Sequence, residues 1–212
     1  AKVLAGLRAI APVTIVDADG NPLTEAELTP AAVALPFDLT RLTARRDSFA
    51  VMVQGAPLGY TVSAIELLPN GFRLSDQSSI GGFVEQRTTV EIGADGAMQR
   101  VSQTGKVQGE PTSIELQYGG GRVKGTAQTV SPEGPKSVTV DTAVAAVIVD
   151  DNAIQGLLSA LPWTKDASWS FSVFSGGQNE TRTTTLRVLG VETVTLPSGS
   201  VETYKVEWSG GW

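Results

Sequence analysis

The sequence predicts an all-β fold: a large antiparallel meander sheet with one short helix, preceded by a proline-rich extended arm. Short runs of residues alternate between apolar and polar, which is typical of strands with one face in water. Turns rich in glycine separate these runs, and 23 of the 212 residues are glycine. The alternation is interrupted once, after Asp150, where apolar residues recur at helical spacing.

The N-terminal region differs in composition from the rest of the chain. Residues 1–47 are predicted to form an extended arm, and residues 48–212 an antiparallel β domain. Four prolines in the arm are spaced too closely for long regular elements: Pro12, Pro22, Pro30 and Pro36. Thr24 and Glu27 have the spacing of a capping box, so a helical turn there and a plain loop are equally good interpretations.

Eight strands are predicted in the first part of the β domain. They lie near residues 49–54, 59–68, 72–80, 83–92, 97–108, 112–119, 122–130 and 136–141. Ile114 and Leu116 fall on one face of their strand and Glu115 on the other. Gly119–Gly121 predicts a hairpin connection. Because the connections are short, we expect consecutive strands to pair as a meander.

One helix and three further strands complete the domain. Side chains of Asp150, Asp151 and Asn152 can cap a short helix that runs through Ala160 and stops at Pro162. One face of this helix is apolar, with Ile154, Leu157, Leu158 and Leu161, and should plug one side of the sheet. The last strands are marked by Trp169, Phe171 and Val173, by Leu186 and Val188, and by Tyr204, Val206 and Trp208. The expected total is about eleven strands.

Composition bears on the class of function. The chain has no histidine and no cysteine, the residues most used in acid–base, nucleophilic and transition-metal chemistry, so we expect a protein that is not an enzyme. With 16 basic and 22 acidic residues the formal charge is −6, which repels nucleic acid. No apolar run approaches the ~20 residues that cross a bilayer, so we expect no membrane-spanning segment.

Candidate metal and catalytic motifs are weak. Asp17, Asp19 and Glu27 resemble a calcium loop, but alignment on Gly20 puts Ala26 where a bidentate glutamate is needed. Asp141 follows a β run as in aspartic proteases, but one copy supplies only one carboxylate, and a strand-end aspartate is the simpler interpretation. We therefore expect no metal, no cofactor and no catalytic residue.

Several segments carry a family resemblance: Leu161-Pro162, the strand 169–174, the run 188–201, the strand 204–207 and the hairpin-like stretch 55–59. Together they resemble DUF3108, an uncharacterised bacterial envelope family, with 55–59 similar to its first hairpin. The resemblance covers about residues 49–208, and the proline-rich arm departs from it. It implies a large curved sheet or half-open barrel, distantly similar to the Lol-type lipoprotein carriers that shelter acyl chains. Members are mostly exported, which implies a periplasmic or other exported envelope compartment.

Four tryptophans mark the candidate contact surface. Trp163, Trp169, Trp208 and Trp212 all fall in the last quarter of the chain, where they could form a pocket or a docking site, with core packing as the plainer alternative. We predict these four tryptophans, with Leu157 and Leu158 of the helix, as contacts to a ligand or partner.

Two functions remain open. The first is a binding protein whose curved sheet shelters an apolar or lipid-like ligand, which predicts a cavity lined by leucine, valine and tryptophan. The second is a structural accessory subunit that docks on a larger membrane or envelope complex through its arm and tryptophans. This alternative predicts a filled core and an ordered arm in contact with another chain.

Overall fold

A computed structural model of the chain describes residues 35–196 and 199–210, which form two β-sheets and a short helical segment between two strands of the second sheet. The first sheet is an eight-stranded antiparallel meander in chain order: β1 (Arg45–Val53), β2 (Ala56–Leu68), β3 (Gly71–Ile80), β4 (Val84–Gly93), β5 (Met98–Val107), β6 (Glu110–Gly119), β7 (Arg122–Ser131) and β8 (Gly134–Ala143). The second sheet contains β9 (Val149–Asp150), β10 (Ser168–Ser175), β11 (Glu180–Leu196) and β12 (Gly199–Ser209), in the spatial order β12-β11-β10-β9.

The all-β class and the curled half-barrel sheet are confirmed. All eleven predicted strands are present, and their connections are short as expected. Two features were not predicted. The last strands form a separate sheet, and β9 is an additional strand of two residues that pairs parallel to β10.

Two rows of side chains cross the inner face of the curled sheet. We call the first the apolar row: Ile65, Leu74, Val90, Val101, Leu116 and Val140, which are all buried, with Gly125 between the last two. Each member lies opposite the next on a neighbouring strand, so the row is continuous from β2 to β8. Because alternate residues of a strand share a face, positions two residues away form a second row beside it.

The helical segment (Asp151–Ala160) packs on the apolar row. Only Ile154–Leu157, here α1, is α-helical, and 3₁₀ turns flank it on both sides. The Asp150 side chain accepts a hydrogen bond from the Asn152 amide, which confirms the predicted cap. Ile154 and Leu157 are buried, and a Cβ added at Gly156 would lie 2.8 Å from Leu74 Cδ1. Glycine therefore lets the segment approach the sheet closely. Among the described helices none is long and apolar enough to cross a membrane.

The end of the predicted arm that the structure describes packs against the same segment. Phe37 and Leu42 are buried, and the Phe37 ring meets Phe171 of β10 edge-on at 5.2 Å. The Arg41 guanidinium donates a hydrogen bond to the Leu161 carbonyl at 2.8 Å. β1 begins at Arg45, within the range predicted as arm. The remainder of the arm, with the helical turn considered at Thr24 and the calcium loop considered at Asp17, lies outside the described residues.

Gly125 is a position where the curl of the sheet requires glycine. Its φ is +153°, and a Cβ there would overlap the Glu115 carbonyl oxygen of the neighbouring strand β6. The residue lies between Leu116 and Val140 in the apolar row, so the collision would fall at the centre of the core. Glycine at such points lets a sheet bend toward its inner face.

We expect Gly125→Ala to lower the free energy of unfolding by about 2–4 kcal/mol, because β6 and β7 must separate to admit the methyl group. Gly119→Ala is the matched control, since a Cβ at Gly119 meets no atom within 4 Å. The control should change the stability by less than about 0.5 kcal/mol in a urea titration. Equal stabilities for the two variants would show that this part of the sheet is not tightly curled.

Candidate functional site

The candidate site is a half-open cavity of about 580 Å³. It lies between the inner face of strands β1–β5 and the helical segment, and Trp208 of β12 completes its wall. Its volume falls within the ~300–1,000 Å³ typical of small-molecule sites.

The floor of the cavity is apolar. The apolar row contributes Ile65, Leu74 and Val90, and the helical segment contributes Ile154 and Leu158. All but Leu158 are almost completely buried, so these side chains hold one another in place. Leu158, which is half-buried, presents the accessible hydrocarbon of this floor to an apolar group that enters the cavity.

A row of polar side chains runs beside this floor. We call it the polar row: Asp47, Ser63, Asp76, Thr88 and Gln103, one residue from each of strands β1–β5. Across the next strands, β6–β8, the same row continues with Ile114, Ala127 and Val138, which are apolar. Along this row, polar side chains are thus confined to the strands that line the cavity.

Asp76 is held in place by hydroxyl groups. Ser63 Oγ donates a hydrogen bond to Asp76 Oδ2 at 2.7 Å, and Ser78 Oγ donates to Oδ1 at 3.0 Å. No basic side chain within the described ranges forms an ion pair with this carboxylate. Its negative charge therefore stays unneutralised beside the cavity.

Gln103 and Thr88 have unused hydrogen-bonding groups. Gln103 is 8% exposed and lines the cavity, yet its side-chain amide makes no hydrogen bond to any part of the chain that the structure describes. The Thr88 hydroxyl, directly opposite on β4, is likewise without a protein partner within residues 35–196 and 199–210. Buried amides are normally paired, so an unpaired one that faces a cavity points to a polar group inside it.

Aromatic and charged side chains surround the mouth of the cavity. Phe49 of β1 is 53% exposed and Trp208 of β12 is 38% exposed, although both line the cavity. Arg45 and Asp47 form an ion pair at 3.3 Å beside them. Because this pair is in contact with water, it contributes little to stability and can rearrange around a ligand.

Two adjacent carboxyls lie at the start of the helical segment. Asp150 is fully buried, caps the first 3₁₀ turn and accepts a hydrogen bond from the Tyr118 hydroxyl. Burial raises the pKa of Asp150. Burial is the main cause that raises the pKa of Asp151 to about 7, and the nearby charge of Asp150 is the second. Burial and Asp150 also raise the pKa of Tyr118, so its hydroxyl stays protonated and can donate.

The predicted contact residues fall in different places. Leu158 and Trp208 line the cavity. Trp163 and Trp169 meet edge-on at 5.2 Å, and Trp163 also stacks on Tyr204 at 5.7 Å and donates a hydrogen bond from Nε1 to the Leu158 carbonyl.

Leu157 lies apart from the first cavity. It is buried in the core and contributes to a second, mainly apolar cavity of about 430 Å³ near the β4–β5 turn. Trp212 lies outside the described residues.

The aspartate weighed as a catalytic residue lies outside the cavity. Asp141 lies on β8, where its Oδ1 pairs with the Arg122 guanidinium at 2.7 Å, so it acts as a strand-end aspartate. Within the described ranges no three acidic side chains are grouped so that they could hold a metal ion.

The polar row was missed by the sequence reasoning. Ser75–Ser79 is an unbroken polar stretch, so the alternation that reveals an inner face is lost there. The clue was available in β5, where Gln103 falls two residues after Val101. A residue at that spacing shares the face of the buried valine.

Comparison with known proteins finds one family and a distant structural likeness. A family model described as "Protein of unknown function (DUF3108)" matches residues 57–210. The crystal structure of a beta-barrel-like protein of domain of unknown function DUF1849 from Brucella abortus is similar at 14% sequence identity and a TM-score of 0.36, over 78% of each chain. The search of curated proteins gives no match.

The raised pKa of Asp151 predicts a pH dependence of stability. The folded protein holds a proton that the unfolded chain releases near pH 4, so the free energy of unfolding should fall as the pH rises from about 4 to about 7. Between pH 5 and pH 8 we expect a decrease of about 1–3 kcal/mol, much of it absent in Asp151→Asn.

Asp141→Asn is the control for this measurement. Its hydrogen bond with Arg122 lowers the pKa of Asp141, so its titration lies below the range of pH 5–8 and the variant should keep the wild-type slope. Urea titrations at several pH values measure the effect. A wild-type stability that rises from pH 5 to pH 8 would contradict the assignment.

Proposed function

The chain belongs to the DUF3108 family, whose function is unknown, and we propose that it is a non-catalytic binding protein. Its curled sheet shelters a ligand with an apolar, lipid-like part in the cavity above β1–β5. The observation that carries this proposal is the apolar floor formed by Ile65, Leu74, Val90, Ile154 and Leu158 beside an open mouth.

The size and composition of the cavity support this role. Each methylene group that leaves water for an apolar surface contributes about 0.8 kcal/mol, so a chain of about eight carbons suffices for measurable binding. The floor is buried before any ligand arrives, which reduces the entropy lost on binding. Phe49 and Trp208 at the mouth provide further apolar surface.

The proposed role involves no chemical change of the ligand. The polar groups around the cavity are amides, hydroxyls and carboxylates, with Arg45 the basic one among the lining residues. We propose the periplasm or another exported envelope compartment as the site of action, which the resemblance to an envelope family favours. Fractionation of cells that produce the tagged full-length protein tests the compartment.

An accessory-subunit role is the second candidate, and the β11–β12 hairpin favours it. β10 pairs with β11 only over Glu180–Arg187, so the rest of β11 pairs with β12 alone. This two-stranded extension exposes Leu189, Val191, Val194, Leu196, Val201 and Tyr204. Exposed apolar side chains in such a group are typical of contact surfaces. Gentle purification of the native protein distinguishes the candidates, since a bound small amphiphile favours the first and a stoichiometric polypeptide the second.

We expect the purified protein to bind N-phenyl-1-naphthylamine, an apolar dye whose fluorescence rises when it leaves water, and octanol to displace it. Leu158→Gln should weaken binding by about tenfold, because it replaces part of the floor with an amide. Leu189→Gln is the control. Leu189 is 50% exposed and lies on β11, away from the cavity, so its replacement should leave the affinity unchanged.

A second readout uses Trp208, the tryptophan that lines the cavity. Octanol should change the intrinsic tryptophan emission of the wild type and much less that of Trp208→Phe. Absence of dye binding, or equal loss of affinity in the Leu158 and Leu189 variants, would refute the proposed cavity function.

A further inference from the structure

The polar row carries information about the ligand beyond its apolar part. We infer that the ligand ends in an uncharged, hydroxylated headgroup, sugar-like in its hydrogen bonding, which Gln103 and Thr88 bind. This inference rests on the proposed function, since the apolar part of the same molecule would occupy the floor.

The first argument is the unused capacity for hydrogen bonds. The Gln103 amide offers two donors and an acceptor, and the Thr88 hydroxyl offers a donor and an acceptor. Neither side chain has a hydrogen-bond partner in the part of the chain that the structure describes. Gln103 is 8% exposed and lines the cavity, so a molecule in the cavity can supply the missing partner.

The second argument is position. Gln103 and Thr88 lie directly opposite each other on β5 and β4, and each is two residues from a member of the apolar row, Val101 and Val90. A molecule whose apolar part lies on the floor therefore places its next atoms beside this polar pair. The arrangement fits an amphiphile, with one surface for each part.

The third argument is charge. Two carboxylates that line the cavity, those of Asp47 and Asp76, face one guanidinium, that of Arg45, and the third acid, Asp151, is largely protonated below pH 7. Arg45 is paired with Asp47, so a negative headgroup would meet an excess of negative charge. Asp76 already accepts hydrogen bonds from Ser63 and Ser78, whereas Gln103 and Thr88, which have none in the described chain, are neutral. Neutral amides and hydroxyls are matched by uncharged hydroxyls.

The test compares amphiphiles that share an octyl chain and differ in the headgroup: octyl β-glucoside, octanol, octanoate and octylammonium. Calorimetric titration of the full-length protein below the micelle concentration gives each affinity. We expect octyl β-glucoside to bind at least tenfold more tightly than octanoate and more tightly than octylammonium. Gln103→Leu should weaken the glucoside about tenfold and leave octanol unchanged, because only the headgroup contacts are lost.

Gln117→Leu is the matched control, since Gln117 is exposed on β6 and does not line the cavity. Gln103→Leu should retain or raise the melting temperature, because the wild-type amide makes no hydrogen bond to the described chain that the variant could lose, whereas a purely structural glutamine would lose such bonds. Thr88→Val, on the neighbouring strand, should also weaken glucoside binding and leave octanol binding unchanged. It replaces the Gln103 variant in the test if that variant does not fold.

Each outcome separates this inference from the proposed function. Octanol binding together with equal affinities for glucoside and octanoate would overturn the headgroup inference and uphold the cavity function. Tightest binding of octylammonium, or an unchanged glucoside affinity in both Gln103→Leu and Thr88→Val, would also overturn the headgroup inference. Failure of both octanol and glucoside to bind would overturn the two proposals together.

Discussion

The packing of the helical segment on the apolar row is the interaction on which the rest of the structure depends. Ile154 and Leu157 are buried there, and Gly156 lies close enough to Leu74 that a methyl group could not be added without a shift. A curled sheet with one apolar row needs a cover, because the row would otherwise lie in water. The segment is short, so it packs on the apolar row and leaves the adjacent polar row free.

The two halves of the inner face are covered in different ways. Over β6–β8 the polar row is replaced by apolar residues, and the chain just after β10 reaches the first of them: a Cβ added at Gly176 would lie 3.4 Å from Ile114 Cγ2. Thr142 of β8 also donates a hydrogen bond to Asn179 in the turn after β10, at 2.6 Å. Over β1–β5 the row is polar and the second sheet contributes only Trp208 to the wall. The position of the cavity is therefore determined by this one row, which is polar on β1–β5 and apolar on β6–β8.

Much of this fold follows from periodicity and turn chemistry. The alternation in β6 and β7, with glycines between them, located both strands and their buried face, because each residue type there is clearly apolar or polar. The split into two sheets could not be read from the sequence, since alternation does not reveal which strand lies beside which. The polar row was hidden because strands such as β3 are polar on both faces over Ser75–Ser79. The tryptophans were ambiguous for a similar reason: Trp163 makes a specific hydrogen bond to Leu158, and no spacing rule predicts it.

The stack of Trp163 on Tyr204 connects the cavity to the second sheet. Trp163 is hydrogen-bonded to Leu158, which lines the cavity, and Tyr204 lies on β12, the strand that carries Trp208. Trp208 pairs with Leu186 of β11, which also pairs with Trp169 of β10, so Trp208 lies in the three-stranded part of this sheet and not in its exposed extension. One aromatic cluster therefore braces the floor and the wall of the cavity together.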